Sequence, residues 1–309
     1  MAVQTLPSPA GVQAGPRPRL VELPRPSAPA DGVARRVGMA LTFAALLVCG
    51  FFVYLYGLSG VAEAREQSVL YKTFAAQLSQ ATAPVGPTLD PDGTTVRYIP
   101  EGAPVALVDI PSLGISGLVV VEGTTSGDMM RGPGHVRASA LPGQAGVSVI
   151  YGRAATFGAP FAHLMRLNQG DRITVTTGQG VSTYKVASFG SASSPAPDTT
   201  ANRLVLETGN SGLLSNGALM VSADLTGTPQ QNPGGWPRIT PQEKYLAGDP
   251  GALLPLALWS QALLLLAVGG VVAAQSWSRW AAYLCVAPAV IAVAWAVYEN
   301  TAALLPNLN

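Results

Sequence analysis

Three long apolar segments constrain the fold of this chain more than any other feature of its sequence. They are VGMALTFAALLVCGFFVYLYGLSGVA at 37–62, a stretch centred on LLPLALWSQALLLLAVGGVVAA at 253–274, and WAAYLCVAPAVIAVAWAVY at 280–298. A helix of roughly 20 apolar residues crosses the hydrocarbon core of a bilayer, which is about 30 Å thick. We therefore predict transmembrane helices at 37–62, 251–275 and 280–298, with a kink in the third at Pro288.

Basic residues beside these segments predict their orientation, because cytoplasmic loops of membrane proteins are enriched in Lys and Arg. Arg279 lies between the second and third segments, and five arginines precede the first: Arg17, Arg19, Arg25, Arg35 and Arg36. Both locations are expected to be cytoplasmic at the plasma membrane, which places residues 63–250 outside. The first segment lies too far from Met1 for an ordinary signal peptide, which favours an uncleaved anchor.

Composition narrows the classes of function. The formal net charge is +1, which predicts no attraction to nucleic acid. Residues 1–36 are proline-rich and lack apolar periodicity, and they are predicted to form a disordered cytoplasmic tail. The two cysteines, Cys49 and Cys285, both lie in apolar segments, so the external part has no disulfide and no cysteine nucleophile. Two histidines, His135 and His163, are too few for a zinc cluster, and no metal or cofactor is expected.

Between the first and second apolar segments, the pattern changes from helical to strand-like. Residues 63–96 predict a juxtamembrane helix followed by a Pro- and Gly-rich linker. Short runs of β-branched residues separated by turn signals then recur through 97–226, and they predict a small antiparallel barrel or sandwich. The clearest hairpin is GDRITVTTGQGVSTYKV at 170–186. Residues 227–250 are predicted to be a flexible link to the second apolar segment.

Several blocks of this external domain have the order and spacing of a known family. They are IPSLGISGLVVVEG at 110–123, RGPGH at 131–135, LPGQAG at 141–146 before VSVIYG, and TFGAPFAHLMRLNQGDRITV at 156–175. In these blocks the chain resembles the sortases from about residue 65 to residue 226. One N-terminal and two C-terminal apolar segments make it similar to the actinobacterial sortases of class E. The resemblance implies an all-β closed barrel outside the membrane of a Gram-positive cell, beside three transmembrane α-helices.

The resemblance also identifies where sortase chemistry should reside. In the family a cysteine thiolate attacks a sorting signal, often LPxTG, a histidine protonates the leaving amine, and an arginine stabilises the oxyanion. At the matching positions this sequence has Arg153 in place of the histidine, Gly209 in place of the cysteine and Ala218 in place of the arginine. Val147 replaces an asparagine often found before the histidine. Glycine offers no nucleophile and arginine keeps its proton, so these departures predict a catalytically inactive sortase-like protein.

The residues around these positions are the candidates for a binding groove: Arg153, Glu207, Thr208, Ser211 and His135. Arg153 has three interpretations: a surface arginine, an ion-pair partner of Glu207 that plugs the old site, or a planar fork that binds a carboxylate or peptide carbonyl. A rebuilt enzyme would need a new nucleophile and base, for which Ser211 and His135 are the available pair. The structural interpretation of His135 is a turn residue near the rim of the cleft.

Two main classes of function follow from these expectations. The first is a membrane-anchored, sortase-like pseudoenzyme that binds or assists in surface-protein sorting at the cell envelope, with a sorting segment or an active sortase as its partner. The second is a sortase-type transpeptidase or peptidase with substituted catalytic residues. A third is a structural role for the helices, since the small residues of AVGGVVAAQS at 267–276 allow close helix packing. LPGQAG at 141–146 loosely resembles a sorting signal, but it lies inside the domain and is not expected to be a substrate.

Overall fold

The computed structural model describes residues 29–89, 96–191, 193–194, 198, 200–209, 217–234, 247–276 and 279–306. The chain divides into two units, Met1–Leu46 and Leu47–Asn309. The described part of the first unit belongs to the N-terminal helix, and every described strand belongs to the second unit. Most of the predicted disordered tail, 1–28, lies outside the described residues.

The first apolar segment forms part of one long helical stretch. Helix α1 spans Pro29–Val53, a single π-helical turn spans Tyr54–Leu58, and helix α2 spans Ser59–Ser79. Proline is tolerated in the first turn of a helix, where its missing N–H would have no partner. The helix therefore begins at Pro29, inside the stretch predicted to be disordered, rather than at residue 37.

Residues 104–226 form a closed eight-stranded barrel. Its strands are β3 (Pro104–Ile110), β4 (Ile115–Glu122), β5 (Gly134–His135), β6 (Val147–Gly152), β7 (Arg172–Thr177), β8 (Gly180–Ser191), β9 (Arg203–Gly209) and β10 (Ala218–Thr226). A separate strand pair, β1 (Thr88–Leu89) and β2 (Val96–Arg97), precedes the barrel, and helix α3 (Ser126–Met129) follows β4. The order around the barrel is β10-β8-β7-β3-β4-β5-β6-β9, closed by pairing of β9 with β10. The predicted closed barrel is confirmed, and the sandwich that the strand pattern left open is not formed.

Alternating side chains close the barrel around one apolar core. Ile150 on β6 and Leu204 and Leu206 on β9 are fully buried in that core. The strand residues that alternate with them face the outer side of the sheet. The predicted hairpin is β7 paired with β8, and its turn is closed by the pair Thr177 and Gly180. The strand-like periodicity of the sequence thus follows from one face of each strand being buried.

Helix α2 lies against the outside of β4. Leu70 packs on Val119 and Val121. The Gln67 side-chain amide donates to the Val119 carbonyl at 3.0 Å, and its oxygen accepts from the Val119 N–H at 2.8 Å. Because one amide satisfies both backbone groups of a strand residue, the helix is fixed to the barrel at a defined position.

The C-terminal apolar segments form two helices that pack against each other. Helix α4 spans Leu253–Ser276, and helix α5 spans Arg279–Leu304 and contains Pro288. Within the described ranges, three helices are long and apolar enough to cross a membrane: Gly32–Ser79, Pro250–Ser276 and Leu284–Leu304. This agrees with the three predicted spans, although α5 is longer than the predicted 280–298, and the orientation in the membrane stays a prediction.

The first part of the predicted link at 227–250 lies on the barrel. Gln230 exchanges two backbone hydrogen bonds with the LPGQAG turn at 141–146. The Gln144 side chain in this turn is buried, and it donates to a backbone carbonyl of the segment before the barrel at 2.7 Å. LPGQAG therefore forms a hydrogen-bonded turn of the domain, and residues 235–246 of the link lie outside the described residues.

Candidate functional site

The three positions that are predicted to match the family's catalytic residues, Arg153, Gly209 and Ala218, meet at one end of the barrel. Strands β6 and β9 run parallel and are paired up to Gly152 and Thr208, so both strands end at the same edge. Strand β10 runs antiparallel to β9, and its first residue, Ala218, pairs with Gly209. Since Arg153 directly follows Gly152, the pairing brings all three positions to neighbouring strand ends.

A carboxyl and a phenol lie on the outer face of this part of the sheet. Ile150 and Leu206 point into the core, so alternation turns Tyr151 and Glu207 outward. The Tyr151 hydroxyl donates a hydrogen bond to Glu207 Oε2 at 2.5 Å, and both side chains are largely buried. Burial raises the pKa of the Glu207 carboxyl to about 7, because loss of water disfavours its charged form. Tyr151 was not a candidate from the sequence, since only the register of β6 on β9 places it beside Glu207.

Of two other groove candidates, one lies on the opposite side of the sheet and one lies outside the described residues. Thr208 alternates with Glu207 and is buried on the inner side of the sheet. Ser211 falls within 210–216, outside the described residues, so the Ser211–His135 pair stays a prediction.

Arg153 is a buried residue, and the prediction of a surface arginine is wrong. Its side chain is 5% exposed. Nε donates to the Met129 carbonyl at 3.2 Å, and Nη1 donates to Thr156 Oγ1 at 3.1 Å. Nη2 donates to the Ser126 carbonyl at 3.3 Å and to Ser126 Oγ at 3.0 Å. The guanidinium carbon lies 4.8 Å from the centre of the Phe157 ring, within the range of a cation–π contact.

The predicted ion pair between Arg153 and Glu207 is not formed. All the hydrogen-bond acceptors of Arg153 are neutral, and no carboxylate among the described residues pairs with it. Burial lowers the pKa of the Arg153 guanidinium to about 10, because desolvation penalises the charge. The group is still protonated at neutral pH, and its donors are directed at α3 and the loop after β6.

The loop after β6 has an unusual backbone. Phe157, Gly158 and Ala159 have φ angles of +49°, +71° and +45°, a left-handed conformation that residues other than glycine rarely adopt. The loop returns Phe161 to the core directly beneath Gly152, where an added Cβ would collide with the ring. The glycine before the family's histidine position is therefore explained by packing alone.

His135 is buried within β5 rather than lying in a turn at the rim of a cleft. Its Nδ1 is 2.8 Å from Glu122 Oε2. Its Nε2 is 2.9 Å from the Ala140 carbonyl and 3.1 Å from Ser139 Oγ. Glu122 and Ser139 were not candidates from the sequence, and the pairing of Glu122 with His135 in β4 and β5 is what joins them.

The distances from Ser139 through His135 to Glu122 are those of a nucleophile, a base and a carboxylate. The hydrogen-bond network argues against that role. Nδ1 faces the Glu122 carboxylate and Nε2 faces the Ala140 carbonyl, so both ring nitrogens already have partners within the domain. The Ser139 hydroxyl donates to the Val136 carbonyl at 2.8 Å, so its proton is not directed at Nε2. The cluster holds β5 to β4 and to the following turn.

The described residues offer few side chains for thiol chemistry or for binding a metal ion. Cys49 lies in α1 and Cys285 in α5, and both are free thiols. Over the part of the chain that the structure describes, no group of three or more His, Cys, Asp or Glu side chains is arranged to hold a metal ion.

Comparison with known proteins identifies the barrel. A family model for the sortase domain matches residues 108–210, from β3 to just past β9. The chain therefore contains a sortase domain, and the resemblance to the sortase family drawn from its motifs is confirmed. A search of curated proteins found no match.

Solved structures of sortases are also similar to this chain. Sortase E from Streptomyces avermitilis is 28% identical, with 42% of this chain and 93% of that chain covered and a TM-score of 0.36. Sortase E1 from Streptomyces coelicolor, solved with a tripeptide in its active site, is 24% identical over 41% of this chain and 90% of that chain, with a TM-score of 0.37. A sortase D5 transpeptidase from Clostridium perfringens is 20% identical over 53% and 99% of the two chains, with a TM-score of 0.41.

Proposed function

We propose that this protein is a membrane-anchored, non-catalytic member of the sortase family that serves as a binding or accessory module in surface-protein sorting. The observation that supports this most is the set of residues at the meeting strand ends: Arg153, Gly209 and Ala218. Cysteine transpeptidation needs a thiolate that forms an acyl intermediate and a group that gives a proton to the leaving amine. Glycine has no side chain for the first role, and the Arg153 guanidinium, with a pKa of about 10, stays protonated at neutral pH and is a poor proton donor for the second.

No described residue near these positions supplies the missing thiolate. Both cysteines lie in helices that are long and apolar enough to span a membrane. His135 is buried in a cluster with Glu122, and both of its ring nitrogens lie within hydrogen-bond distance of partners in that cluster. These observations support the non-catalytic alternative over an enzyme with substituted residues.

The basic residues that flank the helices support an extracytoplasmic position for the barrel. Arg35 and Arg36 precede the first apolar segment, and Arg279 lies between the second and the third. Basic residues that flank membrane-spanning helices are retained in the cytoplasm. On this arrangement the sortase domain faces the cell envelope, where surface proteins are sorted.

The ligand that we propose for the groove is an extended sorting segment of a surface protein. Gly209 and Ala218 present little more than backbone, so an extended peptide can approach the two strand ends closely. Glu207, with its pKa near 7 and its Tyr151 partner, offers a carboxyl that either accepts or donates a hydrogen bond at neutral pH. An active sortase is the other partner class that this role includes.

The test uses the full-length protein in lipid nanodiscs, mixed with an LPxTG-type peptide and an amine acceptor. Native mass spectrometry should detect intact peptide on the protein and no cleaved or transferred product. Ala218→Trp fills the proposed groove and should abolish the complex. Val181→Trp, at a position on β8 that is 64% exposed, is the matched control and should retain it.

Each alternative gives a different result. Cleaved or transferred peptide would overturn the non-catalytic proposal in favour of a transpeptidase or peptidase with substituted residues, and Ser211→Ala would then be the first variant to assay. Binding that both tryptophan variants retain would place the peptide outside the groove. Absence of both product and complex would contradict a peptide ligand.

A further inference from the structure

The residue at the family's histidine position is connected to the membrane-spanning part of the chain. We propose that Arg153 docks the barrel onto the helices, and that it couples the loop after β6 to the arrangement of those helices in the membrane. This inference goes beyond the proposed function and does not depend on it, because the coupling involves no ligand.

The first connection runs through helix α3. Ser126 Oγ accepts a hydrogen bond from Arg153 Nη2 at 3.0 Å and donates to the Ala302 carbonyl of α5 at 3.0 Å. A hydroxyl has one proton and two lone pairs, so one serine satisfies both bonds at once. The Ser126 N–H also donates to the Ala247 carbonyl, just before α4, at 2.9 Å. Arg153 is therefore bonded to the group that holds the barrel to the C-terminal helices.

The second connection runs through the loop itself. The Phe157 N–H donates to Ser59 Oγ at 2.9 Å, and that hydroxyl donates to the Leu55 carbonyl at 2.6 Å. The Phe157 ring contacts the Arg153 guanidinium and also packs edge-on against the Tyr54 ring, with 6.3 Å between the two ring centres. The loop that starts at Arg153 is thus tied to the N-terminal helix at its π-helical turn, as well as to α5 through α3.

Apolar packing holds this region together, and we call it the junction. It consists of Tyr54, Met130, Phe157, Ala252, Ala302 and Ala303. Two polar groups at the junction carry a desolvation cost that the docked contacts offset. The Arg153 charge is buried with neutral partners only, and the Tyr54 hydroxyl is buried with no hydrogen-bond partner among the described residues. Both groups would gain hydration if the barrel and helices separated, so apolar contact and desolvation act in opposite directions here.

The connection leads directly to the candidate site. Arg153 is the first residue after β6, whose end lies beside the ends of β9 and β10. A displacement of α5 acts on Arg153 through Ser126, and a displacement of the N-terminal helix acts on its loop through Phe157. The position that transfers a proton in the resembling family thus has a mechanical role in this chain.

Hydrogen–deuterium exchange of the full-length protein in nanodiscs tests the proposal. Arg153→Ala is compared with Arg166→Ala, which removes an exposed arginine from the same loop region. We expect exchange about tenfold faster or more in Arg153→Ala at 126–130, 153–161 and 247–252, because these amides are protected by the docked junction. The β7–β8 hairpin at 172–186 should be unchanged, and Arg166→Ala should leave all of these segments unchanged.

Two results would overturn the proposal. Unchanged exchange at 247–252 in Arg153→Ala would show that the arginine does not dock the helices. Faster exchange in the β7–β8 hairpin as well would show that Arg153 stabilises the barrel itself.

A second variant tests the coupling without changing the arginine. Ser126→Ala removes the shared hydroxyl, and Ser112→Ala at an exposed serine is its control. Faster exchange at both 247–252 and 153–161 in Ser126→Ala would support coupling. A change confined to 247–252 would contradict it, because the loop after β6 would then be independent of the helices.

Discussion

Two buried polar centres lie on neighbouring strands of the barrel, and their hydrogen-bond partners differ in charge. His135 on β5 has the Glu122 carboxylate 2.8 Å from Nδ1, and all its partners belong to the barrel. Arg153 after β6 has four hydrogen bonds to neutral acceptors, and two of them go to Ser126, which is also bonded to α5. Water replaces neutral acceptors at much lower cost than it replaces a buried counter-charge. The comparison therefore separates a centre that holds the barrel together from one that attaches it to the helices.

The largest expected effect tests the first centre. Glu122→Ala leaves the buried His135 without its carboxylate and removes one of the two carboxylates beside Arg137, and the free energy of unfolding should fall by about 3–5 kcal/mol. Chemical denaturation of the full-length protein in detergent measures this loss. Glu101→Ala removes only a half-exposed partner of Arg137 and should cost under about 1 kcal/mol. If Glu122→Ala and Glu101→Ala lowered the free energy of unfolding by the same small amount, the His135 centre would not be holding the barrel together.

The next effect concerns the carboxyl that does not pair with Arg153. Burial raises the pKa of Glu207 in the folded protein to about 7 from its ordinary value of 4.5, so the folded state binds this proton more tightly than the unfolded state. The stabilisation is complete below pH 4.5 and is lost as the pH rises to 7 and above, by up to about 3 kcal/mol.

A comparison of thermal stability between the wild type and Glu207→Gln from pH 4.5 to pH 8 isolates this contribution. As the pH rises, the Tm of the wild type should fall relative to the Tm of Glu207→Gln. An ion pair between Glu207 and Arg153 in solution would lower the pKa of Glu207 and reverse the sign of the trend.

A smaller effect is expected when the second centre loses its charge. Arg153→Met removes the hydrogen bonds but also removes the cost of burying an unpaired charge. We expect the free energy of unfolding to fall by only about 1 kcal/mol, measured by the same denaturation as for Glu122→Ala. Arg166→Met is the control at an exposed site. A loss as large as that of Glu122→Ala would mean that Arg153 also holds the barrel together.

The smallest effect concerns Ser139, whose position beside His135 resembles that of a nucleophile. Its hydroxyl donates to the Val136 carbonyl, so Ser139→Ala should cost only about 1 kcal/mol of stability. A fluorophosphonate probe should not label Ser139 in the wild-type protein, as checked by peptide mass spectrometry. Labelling that disappears in Ser139→Ala would give His135 a catalytic role and end the structural interpretation of its centre.

Much of the fold followed from local patterns. Residues 37–62 and 253–274 are apolar over a length that only a membrane-spanning or fully buried helix explains, and the alternation around Ile150 and Leu206 marks one buried strand face. The motifs also predicted Arg153, Gly209 and Ala218 as the positions that match the family's catalytic residues. The register of β6, β9 and β10 brings these three residues to neighbouring strand ends. The helix start at Pro29 was missed, because a proline that is tolerated in a first turn gives the same sequence signal as one in a disordered tail.

The sequence by itself determined the kinds of structural element, the likeness to a family and the absence of a cysteine between the first and third apolar segments. Only the tertiary structure decided which groups the polar residues meet. Glu207 bonds to Tyr151 across 56 positions of sequence, and Arg153 bonds to Ser126 across 27. The reason is physical: side-chain periodicity is a local property of the chain, whereas a hydrogen-bond partner is set by strand register and by which surfaces are buried together.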